Sequence, residues 1–512
     1  MLRSLEIENF KGVAEAQRID FAPLTLLFGA NSAGKSTVLQ ALAYLNELLE
    51  HGSADVTRTQ LGGSAIDLGG FARLVHKHEL GRTVRLRAEF TTPGRLDKMG
   101  RSIALFDDLD DEIESAWVDL SIVHRTTPVT SEAVVWSVSI GVNGVDEPLV
   151  MLNNPKDFFS NKTLDHIFAA INLEHPTLAT ITDVVREDWE AAAFTVGQVA
   201  REIVGIAKTE QPTEGFGFDD RSLPSFLLRS RRRGALPPTD EPLHVVSEND
   251  AKTLGEVRAF LEMVVLGTLA QLADDLRDAI YIGPLRMIPE RSRLFIGGGD
   301  RRPSWADGLA AWNVLLSDSG VRVEQTNKWL RRLDAGCQVI VQQLFDTRAN
   351  AEELSRDDVD KTVRRLLLDT GMGAFSLPTE VGAGISQVVP VVVAGLEERA
   401  GLTMIEQPEL HIHPRLQTNL GDLFLVAAER RQFLIETHSE HLILRALRRI
   451  RETSAGELNE ADPPFTPDKL SVIYVQATPT GTTFKRLRVD ETGEFVDRWP
   501  HGFFEERAKE LF

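Results

Sequence analysis

The stretch from Leu24 to Leu42 constrains this chain more than any other. It opens with a strand-like apolar run, Leu24-Thr25-Leu26-Leu27-Phe28, passes through Gly29-Ala30-Asn31-Ser32-Ala33-Gly34-Lys35-Ser36-Thr37, and continues into the helix-like Val38-Leu39-Gln40-Ala41-Leu42. Strand, glycine-framed loop and helix in that order form a P-loop. Gly29 and Gly34 let the backbone curl, so that successive N–H groups around Asn31, Ser32, Ala33 and Thr37 and the helix N-terminus face an anion. Lys35 then neutralises the outer phosphates of a triphosphate, and the Ser36 hydroxyl can sit on Mg²⁺. A plain glycine-rich turn would not also require Lys followed by Ser at this spacing.

With 512 residues the chain has room for two or three domains, and its 42% hydrophobic and 26% charged content is ordinary for a globular protein. It contains no apolar run of about 18 residues and no basic-then-apolar leader, which predicts a cytoplasmic protein without a membrane partner. The single cysteine, Cys337, excludes an intrachain disulfide and a cysteine-built zinc site. A net charge of −20 opposes general affinity for polyanions, although a local basic face can override it.

The alternation in Leu5 to Lys11, followed by Ile19-Asp20-Phe21, predicts strands leading into the P-loop. Alternation recurs through Val84, Leu86, Ala88 and Phe90, through Val118, Leu120 and Ile122, and through Val134, Trp136, Val138, Ile140 and Val142. These are expected to be antiparallel strands with one wet face. The acidic run Asp107 to Glu112 lacks a glycine-turned ligand loop and reads as solvated surface rather than a cation site. Residues 150 to 280 turn polar and helical, and 211 to 250 are dense in Pro, Gly and charge, which predicts an insertion. Its Arg229, Arg231, Arg232 and Arg233 form the most basic cluster and a possible DNA contact, though no aromatic stacking series accompanies them. Helical spacing resumes at Trp312, Leu315 and Leu316 and at Trp329, Leu330 and Leu333, without a sustained heptad or an internal repeat.

A second set of site residues lies far downstream. Leu402-Thr403-Met404-Ile405 predicts a buried strand that delivers Glu406 beside the P-loop, where a carboxylate can hold the water shell of Mg²⁺. Upstream, Val381-Gly382-Ala383-Gly384-Ile385-Ser386-Gln387 precedes an apolar helix and offers free N–H groups and a hydroxyl to an anion. Within one chain this second cradle is surplus to the P-loop. It becomes useful if two copies pack head to tail and each completes the other's site. Phe433-Leu434-Ile435-Glu436 predicts another buried strand ending in Thr437-His438-Ser439, where an imidazole can bind a terminal phosphate or orient a water.

In this order of motifs the chain resembles the ABC-type ATPases related to structural-maintenance-of-chromosomes (SMC), RecF and OLD proteins. Gly29 to Thr37 looks like their Walker A motif, Gly382 to Gln387 like their divergent signature, Glu406 to Pro414 like Walker B and D-loop, and Thr437-His438-Ser439 like their switch histidine. It is further similar to bacterial ATPases that end in a small domain of unknown function, on the strength of Gly283-Pro284-Leu285-Arg286, Asn327 to Leu330, Val489-Asp490 and Trp499 to Phe504. The resemblance covers about residues 1–95 and 281–512.

It implies an α/β fold: an ATPase head with a mixed β-sheet, flanking helices and an antiparallel β lobe, interrupted by a mainly helical insertion. The expected segments are 1–95 and 281–465 for the head, 96–280 for β-strands and insertion, and 466–512 for a small C-terminal hairpin domain. ATP and Mg²⁺ are the implied cofactors, with Ser36 and Glu406 at the metal. A homodimer or higher oligomer through an ATP sandwich is the implied assembly, acting on a separate effector or nuclease protein. The final segment, Leu470 to Tyr474 and Thr482 to Val489 around Thr480-Gly481, reads as a β-hairpin, too short and too poor in paired acids for the TOPRIM nuclease of some OLD proteins.

One departure stands out. The class's general base follows the Walker B carboxylate, and that position holds Gln407, an amide that cannot accept a proton. Hydrolysis is then expected to be slow, gated, or handed to Glu409 or His438. Two other readings compete less well. His411, His413, His438 and His441 invite zinc, and Ser439 with His438 and Glu436 invites a hydrolase triad, but no nucleophile elbow is present. A transporter subunit would need a coupling region that the sequence does not display, whereas a DNA clamp would use the Arg229 to Arg233 cluster.

Overall fold

The computed structural model describes residues 1–92, 94, 96, 106–126, 131–154, 166–179, 187–190, 225–229, 234–246, 251–290, 304–318, 320–344, 363–398, 401–459 and 462–498. Two sheets organise them. The first has six strands in the order Ile280–Ile282, Leu402–Glu406, Gln432–Thr437, Leu24–Phe28, Leu470–Thr478, Gly481–Leu487, all parallel except the last. The strand Leu24–Phe28 is buried at every residue, as a strand covered on both faces must be, and this explains its unbroken apolar run.

The second sheet has nine antiparallel strands: His244–Val246, Ser225–Arg229, His166–Ile171, Val150–Asn153, Ser131–Val142, Ser115–Thr126, Val84–Thr91, Leu2–Glu8, Gln17–Asp20. In Val84–Thr91 every other residue is buried, so one face meets the core and the other does not. The helix Ser36–His51 lies between the two sheets. It shares one apolar core with Leu86, Leu120 and Ile140 of the nine-stranded sheet and with Leu27, Met404, Leu434 and Ile473 of the six-stranded one. Burial on almost all its sides follows from that position. The opposite face of the six-stranded sheet, through Leu26, Phe28, Ile405 and Ile435, packs on the helices Leu309–Ser317, Ala383–Gly395, Pro414–Ala427 and Glu440–Ala455.

Two expectations about organisation change. The C-terminal hairpin does not form a unit of its own: Leu470–Thr478 runs parallel to Leu24–Phe28 and in register with it, with Val472 opposite Leu26. Its apolar, β-branched residues fit a buried strand, and an edge of the P-loop strand was there to be paired. The region expected to be a mainly helical insertion contributes, among its described residues, one long helix and, beyond that expectation, four short strands that extend the nine-stranded sheet. That helix runs from Ala251 to Arg277 through a π-helical stretch, Glu262–Gly267.

In the acidic run, Asp110 is buried and accepts the Leu96 N–H at 2.6 Å, a structural role. Arg231, Arg232, Arg233 and Trp499 to Phe504 lie outside the described residues, and Arg229 is placed by its backbone, opposite His166. Among the described residues no helix is long and apolar enough to cross a membrane.

Candidate nucleotide-binding site

The site forms at the C-terminal ends of the parallel strands, where each strand hands its chain to a loop. In the P-loop, Gly29, Ser32 and Gly34 have φ of 151°, 60° and 101°. Gly29 and Gly34 are also required by close contact. A Cβ on Gly29 would lie 2.2 Å from the Val475 carbonyl oxygen, and one on Gly34 would lie 2.7 Å from Thr482 Oγ1. The C-terminal hairpin therefore braces the loop, and Thr482 Oγ1 also donates to the Ala33 carbonyl at 3.1 Å. Asn31 and Ser32 are exposed, whereas Ala33, Lys35 and Thr37 are buried.

Lys35 Nζ donates to the carbonyls of Gly29 (3.2 Å) and Ala30 (2.9 Å) and lies 3.8 Å from Glu436 Oε1. Burial lowers its pKa, against the pull of Glu436, Glu409 and Glu406. Ser36 Oγ donates to Glu436 Oε2 at 2.6 Å. Glu406, expected beside Ser36, stands one strand further away and accepts the Tyr281 hydroxyl at 2.7 Å. Burial first, and the Glu436 charge second, push the Glu406 pKa up to about 7. Burial raises Glu436 as well, opposed by its bond from Ser36 and by the Lys35 charge. Oxygen ligands of this kind, a hydroxyl beside carboxylates, suit Mg²⁺, which prefers hard donors and few protein ligands.

Beneath the Walker B-like turn lies Arg286, 4% exposed, whose Nη2 donates to the carbonyls of Glu406 (2.6 Å) and Gln407 (3.0 Å). Burial brings its pKa down to about 10 despite the nearby Glu409 and Glu406 charges. Gln407 adopts a left-handed φ of 45°, its N–H bonded to the Glu436 carbonyl at 2.7 Å and its side chain half-buried. Glu409 Oε1 accepts the His438 backbone N–H at 2.7 Å, and Glu409 Oε2 and His438 Nε2 are buried with no partner among the described residues. Burial raises the Glu409 pKa and lowers that of His438. Glu409 and His438 are thus joined to each other, and both lie within electrostatic reach of Lys35.

The signature-like segment divides into an inner and an outer part. Ser386 is wholly buried and donates to the Pro378 carbonyl at 2.7 Å, and Gln387 Nε2 donates to the Arg286 carbonyl at 2.6 Å. Gly382 is exposed, and Gly384 packs against the His411 carbonyl. The exposed residues of this helix N-terminus are the small Gly382 and Ala383. His411 is exposed, His413 Nδ1 caps the helix Pro414–Ala427 by accepting the Arg415 N–H, and Ser439 donates to Gln417. Among the described residues no group of three or more His, Cys, Asp or Glu side chains is placed to hold a metal ion.

Sequence reasoning missed Glu436, Arg286, Tyr281 and Thr482 as site residues. Glu436 carried a usable signal, since two buried strands each ending in Glu can align in parallel. Arg286 was visible only as part of a family segment, Tyr281 carried no signal of its own, and Thr482 acts through a strand pairing that its own sequence does not announce.

A family model described as "AAA ATPase domain" matches residues 1–124, and one described as "AAA domain, putative AbiEii toxin, Type IV TA system" matches residues 276–445. No curated protein matches. Among solved structures, the chain is similar to an SMC head bound to the C-terminal winged-helix domain of ScpA, at 11% identity over 96% of this chain and 98% of that one, with a TM-score of 0.42. The SMC head of Thermotoga maritima follows at 8% identity, 95% and 99% coverage and a TM-score of 0.36. One from Pyrococcus yayanosii with a coiled coil and joint stands at 10% identity, 95% and 97% coverage and 0.39. The two matched segments are the ones that carry the P-loop and the Glu406 and His438 strand ends, and both are described as AAA-type domains.

Proposed function

We propose that this protein is an ATP-hydrolysing switch in which ATP and Mg²⁺ at the P-loop join two copies and hydrolysis parts them. The observation that supports this reading is that the helix Ala383–Gly395 is tied near its N-terminus, through Gln387 and Arg286, to the turn after Glu406, at the same C-terminal ends of the parallel strands from which the P-loop leaves. At the start of that helix Gly382 and Ala383 are exposed and Gly382 is uncrowded, while Ser386 to Gly395 are buried. Helix N-termini favour anions, and a second copy's segment 382–387 can supply that end to the phosphates held by Gly29 to Thr37. Gly382, Gly384 and the backbone through Ser386 and Gln387 form the contact, with both side chains acting inward.

When bound, Mg²⁺ neutralises charge on the outer phosphates. Lys35 and the P-loop amides position the triphosphate, and Gln407 orients the attacking water. The proton passes to Glu409, whose unpartnered oxygen and raised pKa suit a base, with His438 beside it at the terminal phosphate. The output is control of a separate effector or nuclease in bacterial anti-phage defence or DNA maintenance. The toxin–antitoxin wording attached to the 276–445 match favours such a setting.

Size measurement with and without ATP-Mg²⁺ tests this for wild type, Lys35→Ala and Gly382→Glu. At φ −58° with nothing within 4 Å, position 382 accepts a side chain, and a carboxylate there suits the helix end of the isolated protomer while repelling a partner's triphosphate. Wild type should double in mass, Lys35→Ala should not bind ATP, and Gly382→Glu should bind ATP yet stay single. ATP-dependent doubling by Gly382→Glu would overturn the sandwich.

A further inference from the structure

We propose that Glu436, rather than Glu406, is the carboxylate that completes the Mg²⁺ site with Ser36. The inference rests on the ATP-binding reading above and assigns a residue within that site.

Sheet order sets the choice. The strand Gln432–Thr437 lies directly beside the P-loop strand, and Leu402–Glu406 lies beyond it. Glu436 is therefore the nearer of two acids that end neighbouring strands in register. A serine that offers its oxygen lone pair to a cation must send its proton to an acceptor, and a carboxylate is the strongest one available. Glu436 Oε2 takes that proton at 2.6 Å, while Oε1 faces Lys35 Nζ at 3.8 Å. One carboxylate thus spans the hydroxyl and the ammonium that flank a P-loop metal. Glu406 is engaged elsewhere: its Oε1 accepts from Tyr281, and its backbone carbonyl accepts from Arg286. It is built into the turn that carries Gln407 and Glu409.

Charge gives the assignment a signature that a structural role would not produce. Without metal, Glu436 sits beside Lys35 and repels a triphosphate. With metal, it attracts the cation that the triphosphate brings. Removing its charge should therefore strengthen metal-free ATP binding and weaken the gain from Mg²⁺. A residue that merely supports the fold would weaken both.

The experiment is calorimetric titration of ATP into the full chain, once with Mg²⁺ and once with EDTA, for wild type, Glu436→Gln, Glu406→Gln, Glu436→Asp and Ser36→Ala. The ratio of the two affinities should fall at least tenfold in Glu436→Gln, with metal-free affinity equal or higher. It should change less than threefold in Glu406→Gln. Ser36→Ala should reproduce the loss, and Glu436→Asp, with its carboxylate drawn back by one methylene, should lie between; these two variants decide the matter if Glu436→Gln does not fold. A wild-type ratio in Glu436→Gln, or a lost ratio in Glu406→Gln, overturns the assignment and leaves ATP binding standing. Failure of wild type to bind ATP in either buffer overturns the functional reading itself, and this assignment with it.

Discussion

Glu406 and Glu436 face each other in register at the ends of adjacent parallel strands, 8% and 5% exposed. Two acids cannot both ionise cheaply in such a place, and burial together with the Glu436 charge raises Glu406 to about 7 from an ordinary 4.5. A folded-state pKa above the unfolded one means that the folded protein binds the proton more tightly. The stability this confers is complete below the unfolded value and is lost as pH rises through the folded one. In EDTA and without nucleotide, the wild-type urea midpoint should therefore fall relative to that of Glu406→Gln between about pH 5.5 and 8. A difference that stays constant across this range would remove the coupling.

By the family resemblance Gln407 stands where a general base is expected, and it adopts a left-handed φ two residues before Glu409. Restoring an acid there by Gln407→Glu should raise steady-state phosphate release by about tenfold or more, short of the roughly hundredfold at which the contribution of a fully placed general base begins. Glu409→Gln should lower release by about a hundredfold. If Gln407→Glu leaves the rate flat while Lys35→Ala abolishes it, the water is not activated from position 407.

The hairpin makes the P-loop sensitive to a residue more than 400 positions away. Thr482 bonds the Ala33 carbonyl and fills the space above Gly34. Thr482→Val keeps the shape and removes the bond, which should lower stability by about 1 kcal/mol in urea unfolding and weaken ATP binding severalfold. Gly34→Ala adds both a 2.7 Å contact and a left-handed penalty and should lower stability by about 2 kcal/mol or more. Equal effects of the two substitutions would mean that the loop gives way rather than the hairpin.

Much of this site was legible because local rules fixed it. Leu24 to Thr37 carries its strand, turn and helix within one short stretch, and Leu402 to Glu406 is apolar enough to be only a buried strand. What stayed hidden depended on pairings between distant segments. Nothing near Leu470 says that it will lie beside Leu24, so the hairpin looked like a separate unit. Ser386 looked available to a partner because the carbonyl of Pro378, which takes its proton, is defined only by tertiary packing. Glu436 was visible as a strand end, but sheet order decided which acid Ser36 would meet.

Arg286 ties three of these pieces together, and its removal should have a pH-dependent cost. Its guanidinium holds the carbonyls of Glu406 and Gln407, its own carbonyl holds Gln387, and its charge lowers the Glu406 pKa. Arg286→Met leaves two buried carbonyls without a charged donor, a loss of about 2–3 kcal/mol. It also removes the cation that makes an ionised Glu406 tolerable, so Glu406 should titrate higher still. Arg286→Met should consequently cost more stability at pH 8 than at pH 6, where Glu406 is already largely protonated. In the Glu406→Gln background that pH dependence should shrink, leaving chiefly the hydrogen-bond loss. Urea unfolding of the four proteins in this cycle at both pH values separates the two contributions, and an Arg286→Met cost independent of pH would show that the guanidinium acts on the turn alone.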